Sequence, residues 1–362
     1  MKKIMILVAF TIGLTISTHA QTADRRVVLI TMDGYRWQEL FGGADSALVF
    51  NKRFVASVPT TANRFYRATA MERRLQLMPF VWSYVSRNGV IIGNRWKKSL
   101  MQVANAKHTS YPGYNELLCG YPDDSRIYSN NKIYNPNLNI LEIANRTPQY
   151  TGRVLAFGSW DRFPFILNES RNHLKVNAGW RKSLSTSPSA TEKVLDQMQD
   201  DNPKLWKEVR YDGYTYHYAV EAIKRQKPKF IYIAFGETDN FGHYGQYDEY
   251  LWAAHRTDDF IRRLWELTQS DVFYRGKTTF IITCDHGRGY DRRNPKVWQN
   301  HGYGTPNDEQ TWLMAFGKDV PARGEVKGGM TYYNKQVAAT VAHYLGIKFA
   351  PTRKDAGRAI IF

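Results

Sequence analysis

The chain has 362 residues, with 50 Lys and Arg against 33 Asp and Glu and a formal net charge of +17. That length suits one large α/β domain or two smaller ones. Its two cysteines exclude a disulfide-built scaffold, and the basic excess comes with no nucleic-acid-binding motif and no run of five like charges.

In chain order, the first segment reads as an export signal. Lys2 and Lys3 form a basic start, Met5–Ile16 is apolar, and Thr18-His19-Ala20 ends in a small residue suited to cleavage. Residues 1–20 are therefore expected to be removed and 21–362 to fold, in the periplasm or outside the cell. The apolar run is too short to span a bilayer comfortably, and no later stretch is long enough. Without the signal the charge is about +15. Such a surface favours anionic ligands, or is simply a solvated exterior.

Apolar runs at Val27–Thr31, Val90–Gly93, Val154–Phe157, Phe230–Phe235, Thr279–Thr283 and Trp312–Phe316 read as buried strands. Helical patterns alternate with them, notably around Tyr250–Leu267 and Asn334–Tyr344. This predicts an α/β fold: a three-layer sandwich with a central, mostly parallel sheet flanked by helices. The polar stretch from Asp161 to Asp212 reads as a cap or insertion over the sheet. Cys119 and Cys284 each lie inside an element and read as buried free thiols.

Three predicted strands run directly into acidic residues: Met32 into Asp33, Phe235 into Gly236-Glu237-Thr238-Asp239, and Cys284 into Asp285-His286. In an open α/β sheet, ligands bind beyond the carboxyl ends of the strands. A single Asp there is commonly a helix cap or turn residue. Three carboxylates gathered at one edge repel one another unless a cation neutralises them. Histidines stand nearby: His243 four residues after Asp239, His286 beside Asp285, and His301 in Asn300-His301-Gly302. Mixed carboxylate and imidazole donors suit divalent metals, Zn²⁺ first, with Mn²⁺ or Fe as others. His108, His173, His217, His255 and His343 lack partners at ligand spacing and read as surface or packing residues, with His108 keeping some interest two residues before Ser110.

The stretch Thr109-Ser110-Tyr111-Pro112 opens a helical pattern that stops at Gly120-Tyr121-Pro122. A hydroxyl at a helix start is either an N-cap or an exposed nucleophile, and its phosphate adduct would face free N–H groups. Thr109 is the rival hydroxyl.

Taken together these residues resemble the alkaline phosphatase superfamily, on its nucleotide pyrophosphatase/phosphodiesterase-like branch. Asp33-Gly34-Tyr35-Arg36, Ser110-Tyr111-Pro112, Asn131 to Pro136, Asp239-x-x-Gly-His243, Asp285-His286-Gly287 and His301-Gly302 follow the family's motifs in order. The resemblance implies an alkaline phosphatase-like fold and two divalent metals. One would be held by Asp239, His243 and His301, the other by Asp33, Asp285 and His286, with Ser110 at or between them. It implies a phosphoserine at Ser110 that water then hydrolyses, and an Asn131 contact to a phosphate oxygen. Three departures stand out. The branch usually carries Thr where this chain has Ser110, and Asn where it has Gly113. The spacing before Asp239 is also short. They put a diester preference in doubt.

The expected function is thus an exported, metal-dependent phosphoric ester hydrolase acting on a small-molecule ester, with monoesters first. A monoester needs a further cation, for which Lys107, Arg36, Arg126 and Lys132 are candidates. The alternative is a phosphodiesterase or nucleotide pyrophosphatase, with Phe41, Phe50, Tyr111 and Tyr114 as a possible aromatic slot. Two further readings are a phosphotransferase to an alcohol and a non-catalytic phosphate or metal binder.

Overall fold

The computed structural model describes residues 24–351 and 353–362; the expected signal at 1–20 lies outside them. The main sheet contains β1 (Arg26–Met32), β2 (Gly89–Ile92), β4 (Val154–Gly158), β5 (Lys175–Ala178), β6 (Phe230–Phe235), β7 (Thr278–Thr283), β8 (Leu313–Gly317) and β9 (Gly324–Glu325). A small second sheet pairs β3 (Leu100–Gln102) with β10 (Thr331–Tyr333). The order across the main sheet is β5-β4-β6-β1-β7-β8-β2-β9. Every pairing is parallel except those of β8, which runs against both β7 and β2.

The six strands expected from apolar runs all form. β1, β6 and β7 are buried at every residue, as a strand must be when both faces are covered by helices. Val27–Met32 pairs in register with Phe230–Phe235 on one side, and Arg26–Thr31 with Thr278–Thr283 on the other. The three parallel strands therefore end side by side, and the acidic residues that follow them meet at one edge.

The segment 161–212, expected as a cap or insertion, divides its roles. Its strand β5 extends the sheet beside β4, while Leu205–Val209 reach the mouth of the cleft described below. Cys119 and Cys284 are buried free thiols. Among the described residues no helix is long and apolar enough to cross a membrane.

Candidate active site

Asp33 directly follows β1. Its main chain is fixed from the neighbouring strand end: the hydroxyl of Thr238 donates to the Asp33 carbonyl at 2.6 Å. The next residue turns back sharply, Gly34 at φ +57°, and its N–H donates to Asp285 Oδ1 at 3.1 Å. A Cβ on Gly34 would lie 2.6 Å from Asp239 Oδ1, so only glycine lets these strand ends approach so closely. Asp239 and His243 sit one turn apart on the helix Glu237–Tyr244, the spacing that places two side chains on one helix face.

The outcome is two triads, Asp239–His243–His301 and Asp33–Asp285–His286, each with its donor atoms within 4.8 Å of one another. Their tautomers are set by carbonyls. His286 Nδ1 donates to the Gly287 carbonyl at 2.7 Å, and His301 Nδ1 donates to that of His108 at 2.9 Å. Both rings thus turn Nε2 inward, the orientation in which it could ligate a metal.

The electrostatics of the Asp33–Asp285–His286 triad favour a cation there. Burial and repulsion from Asp239 raise the Asp33 carboxyl above its ordinary range, and burial and Asp33 raise Asp285 well above its own. Burial would lower His286, yet Asp285 and Asp33 push it up to about 10. All three groups draw protons, the two carboxyls chiefly through burial and the imidazole through the two carboxylates beside it. Asp285 Oδ2 is buried with no hydrogen-bond partner, although a buried carboxylate oxygen ordinarily has one. The residues present therefore fit a pair of divalent metals. The second triad differs: Asp239 is held well below the usual carboxylate range, because His243, Arg288 and His301 together outweigh its burial.

Ser110 opens the buried helix Ser110–Cys119, and Thr109 takes the N-cap position without a side-chain cap bond. Ser110 Oγ lies 3.2 Å from His286 Nε2 and 3.5 Å from Asp33 Oδ1. The same helix sends the Tyr114 hydroxyl to Asp33 Oδ2 at 3.0 Å. Gly113 rests on β7's extension, where a Cβ would lie 2.6 Å from the Asp285 carbonyl oxygen. Its substitution for the branch's usual Asn thus permits close helix-to-strand contact. The helix is anchored further along by Glu116, whose buried carboxylate accepts the N–H groups of Ala104, Asn105 and Lys335. The free N–H groups expected at the helix start are fewer than the sequence suggested. Tyr111 donates its own to Asn130 Oδ1 at 2.9 Å, and Pro112 has none.

The site opens into a cleft of about 460 Å³ lined by Asp33, Ser110, Asp239, His243 and His301 among others. Seven of the eight residues expected from sequence are brought together. Asn131 is not: its side chain is exposed and absent from the cleft wall, which Asn130 lines instead. The expected cations also lie elsewhere. Arg36 is buried against Glu39, Arg126 pairs with Asp123 and Lys132 with Asp161, and Lys107 is not part of the wall. The cleft carries Arg162 and Lys207 instead. Phe41, Tyr111 and Tyr114 are core, and Phe50 packs on Tyr66. The aromatic wall is Trp160, Trp206 and Tyr244. Three supports had no clear signal in the sequence: Arg288 against Asp239, the His108 carbonyl behind His301, and Asp308. Asp308 accepts from the Gly302 N–H at 2.6 Å and pairs with His108 at 2.6 Å.

Residues 108–300, just over half of the chain, match the family described as type I phosphodiesterase / nucleotide pyrophosphatase. The chain belongs to this family. Among curated proteins, this member of the phosphodiesterase/pyrophosphatase family is 26% identical over 235 residues to GPI ethanolamine phosphate transferase 1 of Aspergillus oryzae, covering 64% of this chain and 21% of that protein. It is 30% identical over 152 residues to the Neurospora crassa protein of the same name, covering 36% and 14%. The chain thus matches about a fifth or less of these relatives' length. Among solved structures, the alkaline phosphatase PafA superposes with a TM-score of 0.58 at 11% identity, covering 93% of this chain and 98% of that one. The lipoteichoic acid synthase LtaP of Listeria monocytogenes gives 0.59 at 9% identity, covering 92% and 75%. At such identities the likeness shows an alkaline phosphatase-like fold.

Proposed function

We propose that this chain is an exported, metal-dependent phosphoric ester hydrolase that works through a phosphoserine on Ser110 and favours monoesters. The observation that carries the reading is the position of Ser110 Oγ beside His286 Nε2 and Asp33 Oδ1, facing a cleft that also holds the second triad.

Bound metals, with zinc the best match to the donors, would polarise the phosphoryl oxygens, favour the serine alkoxide and stabilise the leaving oxygen. The chain's own residues do the rest. Tyr114 and Thr238 hold Asp33, and the His108 and Gly287 carbonyls hold the two imidazoles. In the first step Ser110 Oγ bonds to phosphorus, and the P–O bond to the leaving group breaks with its electron pair. That oxygen takes up the proton that Ser110 Oγ gives up and departs as an alcohol. In the second step a water oxygen bonds to phosphorus from the vacated side, the P–Oγ bond breaks, and Ser110 regains its proton.

The monoester preference rests on cations. A monoester dianion needs positive charge beyond two metals. Lys207 is exposed at the cleft and makes no ion pair among the described residues. Arg162 is already committed to Asp161, Glu208 and the Asn130 carbonyl, so it fixes the wall carrying Asn130. We assign Asn130 the phosphate contact first expected of Asn131.

The test compares para-nitrophenyl phosphate with bis-para-nitrophenyl phosphate, with Ser110→Ala alongside. A faster monoester rate that falls in Lys207→Ala supports the reading; a faster diester rate overturns the preference. Both curated relatives are named as phosphate transferases, which supports a second reading as a phosphotransferase. Accumulation of phosphorylated alcohol when glycerol or ethanolamine is added would favour it.

A further inference from the structure

Arg288 lies in neither triad, yet its guanidinium is fully buried against Asp239 of one of them. It contacts Asp239 Oδ1, donates from Nε to the Trp298 carbonyl at 2.9 Å, and donates from its other terminal nitrogen to the Gln299 carbonyl. A Cβ on Gly242 would lie 2.7 Å from Arg288 Cζ, and one on Gly34 3.1 Å from its terminal nitrogen. Two glycines therefore leave room for this one side chain. It ties the helix bearing Asp239 and His243 to the loop bearing His301, and its charge cannot swing away.

That charge makes the two triads unequal. With neutral imidazoles, Asp33 and Asp285 give their triad a charge of −2, while Arg288 cancels the single charge of Asp239. Arg288 also occupies Asp239 Oδ1, leaving Oδ2, which sits 3.1 Å from His243 Nε2, as the free donor. His243 is itself 44% exposed, whereas Asp33, Asp285 and His286 are buried. We infer that Arg288 is a positioning residue that splits the two metal sites into a tight one at Asp33–Asp285–His286 and a weak, exchangeable one at Asp239–His243–His301. This rests on the two-metal reading above and adds the order of loading and the residue that sets it.

The experiment titrates metal-free protein with Zn²⁺ by calorimetry and with Co²⁺ by visible absorption, without substrate. Two steps are expected, with His243→Ala removing the weak one and Asp285→Asn the tight one. Arg288→Met should strengthen the weak step by at least about tenfold and leave the tight step within about threefold, the scale of outer-shell effects on metal affinity. Arg288→Lys, which keeps the charge, should stay near wild type. Equal effects of Arg288→Met on both steps, or no effect, overturn the inference. If that variant does not fold, the ligand variants decide: removal of the tight step by His243→Ala overturns it. Two steps insensitive to Arg288 leave the two-metal reading standing, whereas no binding at all overturns both.

Discussion

Replacing Ser110 with alanine should lower turnover by about a thousandfold or more while leaving metal content unchanged, checked by initial rates and metal analysis. Full retention of activity would move the chemistry to Thr109, whose Oγ1 is buried and unpartnered. Gly113→Ala makes a subtler claim. Its methyl group would meet the Asp285 carbonyl oxygen at 2.6 Å, so the helix must retreat. A displacement approaching 1 Å at a nucleophile costs up to about a hundredfold in rate, read as a fall in kcat together with a Tm lowered by the overpacking. Most of the candidate ligand residues were legible because they stand at a strand end or at helical spacing within a few positions, whereas His301 lies in the loop after Pro295–Gln299 and was legible through the family motif. Asn130 and Arg288 were not. The choice between Asn130 and Asn131 depends on which side chain caps the Tyr111 N–H, and the role of Arg288 depends on a loop folding back over Gly242.

Among elements, the apolar stretches Val27–Ile30 of β1, Phe230–Phe235 of β6 and Phe280–Ile282 of β7 announced themselves because a strand covered on both faces has few polar positions to interrupt it. β5 escaped because Lys175-Val176-Asn177-Ala178 is short, mixed and at the sheet's edge, where exposure dilutes the apolar signal. The helix Ala190–Asp201 did carry a readable start, since Ser189 and Glu192 form a capping box. The long helix Tyr247–Ser270 does more than cover the sheet. Its buried Asp258 accepts the N–H groups of Phe80 and Val81 at 2.8 and 2.9 Å, fixing the π-helical turn Val81–Val85. Asp258→Ala would orphan both donors and should cost about 2–4 kcal/mol in denaturant unfolding. Burial raises the Asp258 carboxyl from 3.8 to about 7. A folded-state value above the unfolded one gives stability that is complete below about pH 4 and lost as pH rises through about 7. The variant should therefore flatten part of the decline in Tm across that window.

At the scale of the whole molecule, metal removal and pH should act together. Asp33, Asp285 and His286 all bind protons more strongly in the folded protein than in the unfolded chain. Without metal, their contribution is present at acid pH and lost as pH rises toward about 10. Chelated protein should melt at progressively lower temperature from about pH 5 to 9, and added Zn²⁺ should remove most of that slope. A net charge of about +15 without the signal should also make kcat/KM for a phosphate dianion fall with ionic strength, and a profile flat in salt would argue against steering. The order of the sheet has a further consequence. The central strand β1 is hydrogen-bonded on both sides to strands some 200 and 250 residues later in the chain. Such distant pairings close slowly, because a large loop must be ordered before any contact rewards it. The candidate metal triads, whose carboxylates follow these three strands, are assembled only once that closure is made. Metal present during refolding should therefore leave the folding rate nearly unchanged and slow unfolding, so that it preserves a fold that the chain must first reach on its own.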